Sequence, residues 1–340
     1  MLIPYAVLLA EIARQPPLAP RRTAVEAAPG LVAAAPLVAP AAVPERARAR
    51  RAGFAVAALD LLGASPETPV VPSARPPLVG AGESLPQGAD ALLDPGWAYD
   101  EATFEALASP PPGAGARLAG DDLAAGAVLA APGHVLTAPR LAAAAAAGVT
   151  TVETVAPAFR LGGGGAAALL LAASLRGLGC RPAAAGEAPD LDIRFDAALA
   201  PRLALEPGAA TTFAFAAGRA RMALAPTSEA AVGALAILLP LVARWTHRVV
   251  ARESAALTKK LVSTIGLTEL ALLAREEGGW RPLCVGDAPL SALIAADALA
   301  LIDPACEGLP AGARLAATPL ANPLTGLDAA TLAPRGESAI

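Results

Sequence analysis

The sequence predicts a multi-domain chain of the α/β plus β class, and three observations predict it. Strand, turn and helix signals follow one another from Thr211 to Arg244, the order of an α/β layer. Short apolar runs bounded by Pro and Gly fill Gly53–Leu93, and two more flank Gly278-Gly279, so two β-rich stretches are expected. Pro/Gly-rich junctions near Pro36–Pro44, Pro110–Gly113 and Val155–Gly165 are poor core material and divide the chain. An elongated molecule, not one globule, is the expectation.

Taken in order, Leu8, Leu9 and Ile12 fall at helical spacing within the first 28 residues, ahead of an Arg/Pro linker. Gly30–Val43 reads as an extended connector. The β-rich module begins at Gly53 and is closed by the Pro110–Gly113 linker. Arg117–Val152 then reads as a small hairpin followed by an Ala-rich helix. Asp121-Asp122 and Gly126 punctuate its start, and Pro132-Gly133 is a turn signal. Thr137 is placed to cap the helix, with Pro139 in the first turn and Gly148 at the end. This alternation makes one linker domain out of two segments, 1–52 and 114–156, with the 53–113 module inserted between them.

An α/β domain over 157–247 follows. It holds a helix from Ala166 to Leu178 that starts after Gly162–Gly165 and ends at Gly179. Strands at Thr211–Ala216 and Arg221–Leu224 flank Ala217-Gly218, and Ser228-Glu229 leads a helix through Arg244. A C-terminal β module spans 248–322, with a short helix at Leu290–Ala296 and strands at Leu299–Ile302 and Arg314–Thr318. Residues 323–340 read as a disordered tail.

Composition narrows the function classes. Of 340 residues, 55% are hydrophobic and 16% charged, which fits folded rather than disordered chain. Lys259 and Lys260 are the only lysines, and the net charge is −4. No basic stripe with interleaved aromatics is present, so nucleic acid is not an expected partner. The densest basic run, Arg46, Arg48, Arg50 and Arg51, reads as a solvated loop or an anion-facing patch. Cys180, Cys284 and Cys306 form no CxxC and no zinc pattern. The start lacks a signal-peptide pattern, and the longest apolar stretch, Ala230–Ala243, is short of the ~20 residues of a bilayer span. A soluble, cytoplasmic protein with reduced thiols and no membrane partner is expected.

Several local motifs carry a resemblance. Arg117-x-x-Gly120-Asp121-Asp122 leads into a small strand, then Pro132-Gly133-x-x-Leu136-Thr137 and a helix. Phe54-Ala55-Val56 is followed by Asp60-Leu61 and Gly63-Ala64-Ser65. Leu85-Pro86-Gln87-Gly88-Ala89-Asp90-Ala91 comes next. Ala296-Asp297-Ala298 stands before Glu307-Gly308 and Ala311-Gly312. In this combination and order, over roughly 5–322, the chain resembles the molybdopterin molybdotransferase family, the MoeA-like proteins that include the matching domain of gephyrin. The resemblance implies a linker domain with an inserted β module, a molybdopterin-binding-like α/β domain and a C-terminal β module. It implies molybdopterin or its adenylated form as ligand, magnesium and molybdate in the reaction, and a homodimer.

The chain departs from the family where the chemistry sits. Arg50-Arg51-Ala52 stands where the family has an aspartate. Gly80–Ser84 lacks the family's Thr-Gly-Ala-Pro. Val155–Gly165 lacks its Thr-Gly-Asp-Glu, and Gly186–Ala210 lacks its Gly/Ser-rich element, so the α/β domain reads as shortened by a strand and a helix. Asp122 is the one member of the family's acidic set with a clear positional match, and is the candidate catalytic residue. Its plain alternative is a turn aspartate bonding its own backbone.

Gly162, Gly163, Gly164 and Gly165 are candidate phosphate contacts before a helix, or else a connector left by deletion of a strand. Pro226, Thr227 and Ser228 are candidate cofactor contacts, or else a helix cap. A cleft is expected where these three features meet. No metal ligand set is read. His134, His247 and Cys180 have no partner at catalytic spacing. The expected function is a MoeA-like role in molybdenum-cofactor biosynthesis that binds ligand but inserts molybdate poorly, a pseudoenzyme. The alternatives are an active transferase with a remodelled site, and a scaffold that pairs with a molybdoenzyme or another cofactor-biosynthesis protein.

Overall fold

The computed structural model describes residues 2–101, 103–196, 203–216 and 218–326. Among them are the helices α1 (Tyr5–Arg14), α2 (Ala138–Ala146), α3 (Ala166–Gly177), α4 (Ser228–Trp245) and α5 (Leu290–Ala295). The buried side chains fall into five separate clusters, so no single layer holds both β-rich stretches.

The linker domain is assembled from two segments. Thr151–Val155 pairs antiparallel with Arg21–Ala24 on one side and Val32–Ala33 on the other. Val128–Ala130 pairs with Leu37–Val38. Gly30–Val43 is therefore not a bare connector: its apolar dipeptides find strand partners far along the chain, at Val128–Ala130 and Thr154–Val155. Helix α2 covers these strands through Leu141 and Ala144, which cluster with Val25, Leu37, Leu136 and Val152. Thr137 takes the N-cap position with extended backbone but makes no side-chain cap bond, and Gly148 has φ +87.

The inserted module is a three-stranded sheet with Gly53–Val56 between Leu78–Val79 and Ala91–Leu93. Phe54 and Phe104 meet edge to face, 4.8 Å between ring centroids, and anchor its core. Ala116–Arg117 pairs with Arg48–Ala49, so the chain enters and leaves the module side by side.

The α/β layer is a five-stranded sheet. Its strands are β1 (Ala158–Gly162), β2 (Arg181–Pro182), β3 (Leu191–Phe195), β4 (Thr212–Ala216) and β5 (Arg219–Leu224), in the order β2-β1-β3-β5-β4. The first four of that order are parallel and β4 is antiparallel at the edge. Two expectations are corrected. The Gly162–Gly165 turn is not a relic of a deleted strand, because β1 runs straight into it. Strand β3, Leu-Asp-Ile-Arg-Phe, supplies a central strand within the span expected to lack one; no helix is described between it and β4.

One face of this sheet is apolar. Phe159, Leu191, Ile193, Met222 and Leu224 pack against α3, α4 and α1. Helix α1, expected in the linker domain, packs against this layer. Tyr5 is buried and its hydroxyl donates to the Ala236 carbonyl at 2.6 Å, and Leu8 and Ile12 turn inward. An amphipathic helix goes where an apolar face needs cover. Burial also pushes the Tyr5 phenol well above its ordinary range.

Helix α4 lies between this layer and the C-terminal module, which explains why it is apolar all round. It is the one described helix long and apolar enough to cross a membrane, with mean hydropathy 1.4, yet 78% of that stretch is buried inside the protein. Thr227 caps it, its hydroxyl accepting from the Ala230 N–H at 3.2 Å.

The C-terminal strands are β6 (Glu253–Leu257), β7 (Thr268–Glu276), β8 (Gly279–Val285), β9 (Ala298–Ile302) and β10 (Arg314–Pro319). Strand β7 pairs with both β8 and β9, and β6 and β10 complete the ring, so the strands close on themselves. Closure removes the open edges of a free sheet. Leu257, Leu273, Trp280 and Ile302 fill the interior. The expected tail begins too early: Leu324–Gly326 pairs antiparallel with Arg248–Val250. Residues 327–340 of that expectation lie outside the described residues.

Arg248 ties the layers together. It is 7% exposed. Its Nε donates to the Thr246 hydroxyl at 2.9 Å, and a terminal nitrogen donates to the Leu178 carbonyl at the end of α3. Thr246 in turn donates to the Val242 carbonyl at 2.6 Å, at the end of α4. The cation thus sits at two helix C-termini, where a positive charge is favoured. Burial lowers its pKa to about 10, which leaves it charged at neutral pH.

Candidate functional site

In an open parallel sheet the carboxyl ends of the strands form the natural ligand crevice. Here β1, β3 and β5 end side by side. Strand β1 ends at Gly162 and leads through Gly163–Gly165 to α3, and β5 ends at Leu224 and leads through Pro226–Ser228 to α4. The structure therefore brings the two expected turns to one edge, two strand spacings apart, or roughly 10 Å.

The turns differ chemically. The start of α3 has Gly165 at φ +90 and no side-chain cap bond. Nothing lies within 4 Å of where a Cβ would stand on Gly164 or Gly165, and no side chain caps the first turn. Such a start suits an anion. The start of α4 already has one donor satisfied by Thr227. Capping is the role the structure gives Thr227.

Asp122 lies elsewhere. It pairs with Arg117 at 3.1 Å, is about half-exposed, and lines a cavity of about 610 Å³ with Glu45, Arg48 and Gly148. None of Gly162–Gly165 or Pro226–Ser228 lines that cavity. Within one chain the three expected features do not share a cavity. The neighbouring Asp121 is the turn residue, accepting from the Leu118 N–H at 2.7 Å.

Two acidic residues were not among the expected site residues, Asp196 and the motif residue Asp60. Asp196 follows β3 directly, at the same carboxyl edge as the two turns. Its signal was the alternation Leu191-Asp-Ile-Arg-Phe, a half-exposed strand that delivers the next residue to the edge. Asp60 lies in a second cavity, about 290 Å³, where the Ala55–Leu61 and Pro86–Ala89 segments meet beside Arg75. Asp90 of the latter motif is structural: its carboxylate accepts from the Ala58 N–H at 2.7 Å. Among the described residues no three His, Cys, Asp or Glu side chains are grouped so as to hold a metal ion. His134 accepts from the Ala131 N–H within its own turn.

The fold and this crevice define a class: a multi-domain protein with an open α/β layer, an inserted β module and a closed β module. Residues 3–148 match the family model described as the MoeA N-terminal region (domain I and II). The MoeA fold continues through the rest. A molybdopterin biosynthesis MoeA protein from Pyrococcus horikoshii superposes with TM-score 0.70 at 18% identity, covering 94% of this chain and 99% of that one. Another structure of such a protein from Pyrococcus horikoshii OT3 gives 0.64 at 20% identity, covering 94% and 100%. A molybdenum cofactor biosynthesis protein from Pyrococcus furiosus gives 0.57 at 15% identity, again covering 94% and 100%. No curated protein matches the sequence.

Proposed function

We propose that this chain acts in molybdenum-cofactor biosynthesis as a MoeA-like protein that binds molybdopterin or its adenylated form and inserts molybdate poorly. The observation that carries the reading is the uncapped start of α3 at the carboxyl edge of β1, in a chain with the MoeA fold. Backbone N–H groups there can hold a ligand phosphate without any acid. Transfer asks more, because a divalent ion needs oxygen ligands and an oxyanion needs a positioned charge. Asp122 is ion-paired in another cavity, which supports binding over turnover. A cytoplasmic homodimer belongs to the same proposal.

Asp196 favours a second reading, an active transferase with a remodelled site, because it puts a carboxylate beside the phosphate-binding turn. Calorimetric titration with molybdopterin and its adenylated form tests the first reading. Binding that is weakened by Gly165→Pro supports it, and no binding by folded protein overturns it. Restored molybdoenzyme activity in a transferase-deficient strain, lost again with Asp196→Asn, would establish the second.

A further inference from the structure

The sheet of the α/β layer has a second face, and no described helix covers it. Parallel sheets are ordinarily buried on both faces. Here the registers fix what the uncovered face carries. Arg160, Asp192, Arg221 and Ala214 share one rung, and Gly162, Arg194, Ala223 and Thr212 share the next. Arg219 continues β5 on the same face. Arg160, Arg194, Arg219 and Arg221 are all exposed. Asp192 is the one acid among these rungs, and it meets Arg194 at 3.4 Å. At the β2 edge Glu187 is already taken by Arg181 and Arg21, and Arg181 holds its carboxyl well below the ordinary range. Arg219 and Arg221 have no ion-pair partner among the described residues. The floor between the arginines is small, Thr212, Ala214 and Ala223, and forms a shallow hollow of about 370 Å³.

A surplus of guanidinium on a sheet face, in a chain of net charge −4, points to a negative occupant. Its class follows from what the face lacks. The sheet's N–H groups are spent on neighbouring strands, so there is no nest for a small phosphate. The aromatic residues of this sheet, Phe159, Phe195, Phe213 and Phe215, alternate with the arginine rungs and pack against the apolar cluster, so the rungs themselves carry no ring to stack a nucleobase, although Phe213 borders the hollow. No large apolar side chain stands among the arginines, so nothing inserts into lipid. The small floor accepts aliphatic side chains, and Arg pairs with carboxylates through a bidentate fork. We propose that this face docks an acidic helix of another protein, which completes the missing layer with its Asp and Glu side chains over Arg160, Arg194, Arg219 and Arg221.

The inference is independent of the crevice reading, because it concerns the face opposite α3 and α4. The probe is a fluorescein-labelled helical peptide of about 20 residues with Glu on one face and Ala elsewhere, long enough to span the sheet. A Lys-for-Glu counterpart and a single-stranded oligonucleotide of similar length are the comparisons. Fluorescence anisotropy with the full chain should show binding of the acidic peptide that weakens with added salt. Arg194→Glu with Arg221→Glu should reduce affinity about tenfold or more, while Arg46→Glu with Arg50→Glu, in the exposed loop of the other domain, should leave it unchanged. If charge reversal lowers the melting temperature, Arg194→Gln with Arg221→Gln carries the same test at about a threefold loss or more. No binding, equal binding by the Arg194/Arg221 variants, or stronger binding of the oligonucleotide would overturn the proposal.

Discussion

Arg248 is a buried cation with no carboxylate beside it, and its role follows from the two acceptors it meets, a carbonyl and a hydroxyl. It donates to the Leu178 carbonyl at the end of α3 and to the Thr246 hydroxyl at the end of α4. Arg248→Met keeps much of the volume and removes the donors. The expected loss is about 2–3 kcal/mol, the cost of leaving buried acceptors unpaired, read as a lower urea midpoint. An unchanged midpoint would show that water replaces the guanidinium. Cys180, near the same junction, illustrates the opposite effect. Burial pushes its thiol up to about 12 from an ordinary 9.0, the nearby Arg248 charge opposing the rise only in part. The folded state thus holds this proton more tightly than the unfolded chain. The thiol's contribution to stability is intact below pH 9 and is lost as pH rises from there toward about 12. With iodoacetamide at mildly alkaline pH, Cys284 and Cys306 should react in the native protein and Cys180 only after unfolding. Fast native labelling of Cys180 would contradict the packing.

At the scale of elements, α4 decides the most. One side of it meets the α/β sheet and α3, another meets α1, and a third meets the C-terminal module through Leu270, Leu272 and Leu299. Gly233 lies where the helix backs onto the Pro207–Gly208 backbone. A Cβ there would stand 1.8 Å from the Pro207 carbonyl oxygen and 3.0 Å from the Gly208 Cα. Both neighbours are backbone, so the clash is relieved only by moving an element. Gly233→Ala raises helix propensity yet should destabilise the protein by about 2–3 kcal/mol, as overpacking does. A melting temperature at or above that of the parent protein would show that the loop yields freely. Helix α1 is the complementary case: Tyr5, Leu8 and Ile12 join the apolar cluster of the α/β layer, so the chain's first helix crosses to it.

For the whole molecule, the distribution of site features over separate places matters most. The anion-suited turn lies at one sheet edge, the Asp122 cavity lies in the linker region, and the Asp60 cavity lies in the inserted module. A homodimer is expected, as the family resemblance implies, and the exposed apolar residues Leu59, Leu62, Val71 and Leu78 offer surface for contact. Sedimentation at tens of micromolar protein is the check: a dimer is expected, and a monomer there removes this part of the proposal.

The sequence by itself determined the class of fold, the inserted module and most elements with a strong local period. The hairpin read at Gly278-Gly279, whose turn falls one residue earlier, helices α3 and α4 and the two strands about Gly218 were legible because turn chemistry and hydrophobic period are written within each segment. The family motifs were legible for the same reason. Only the tertiary structure decided where α1 docks, that Gly30–Val43 forms strands, that Leu324–Gly326 pairs with Arg248–Val250, and that β3 sits at the centre of its sheet. Each of these rests on a partner far away in the chain, and a segment of two to five residues carries too little local preference to name its partner. The site divides in the same way. That Gly162–Gly165 and Pro226–Ser228 precede helices was local, whereas their sharing one edge with Asp196, with Asp122 in another cavity, depended on strand order and domain packing. Those are settled by long-range burial of apolar faces, which acts between segments and leaves no mark within any one of them.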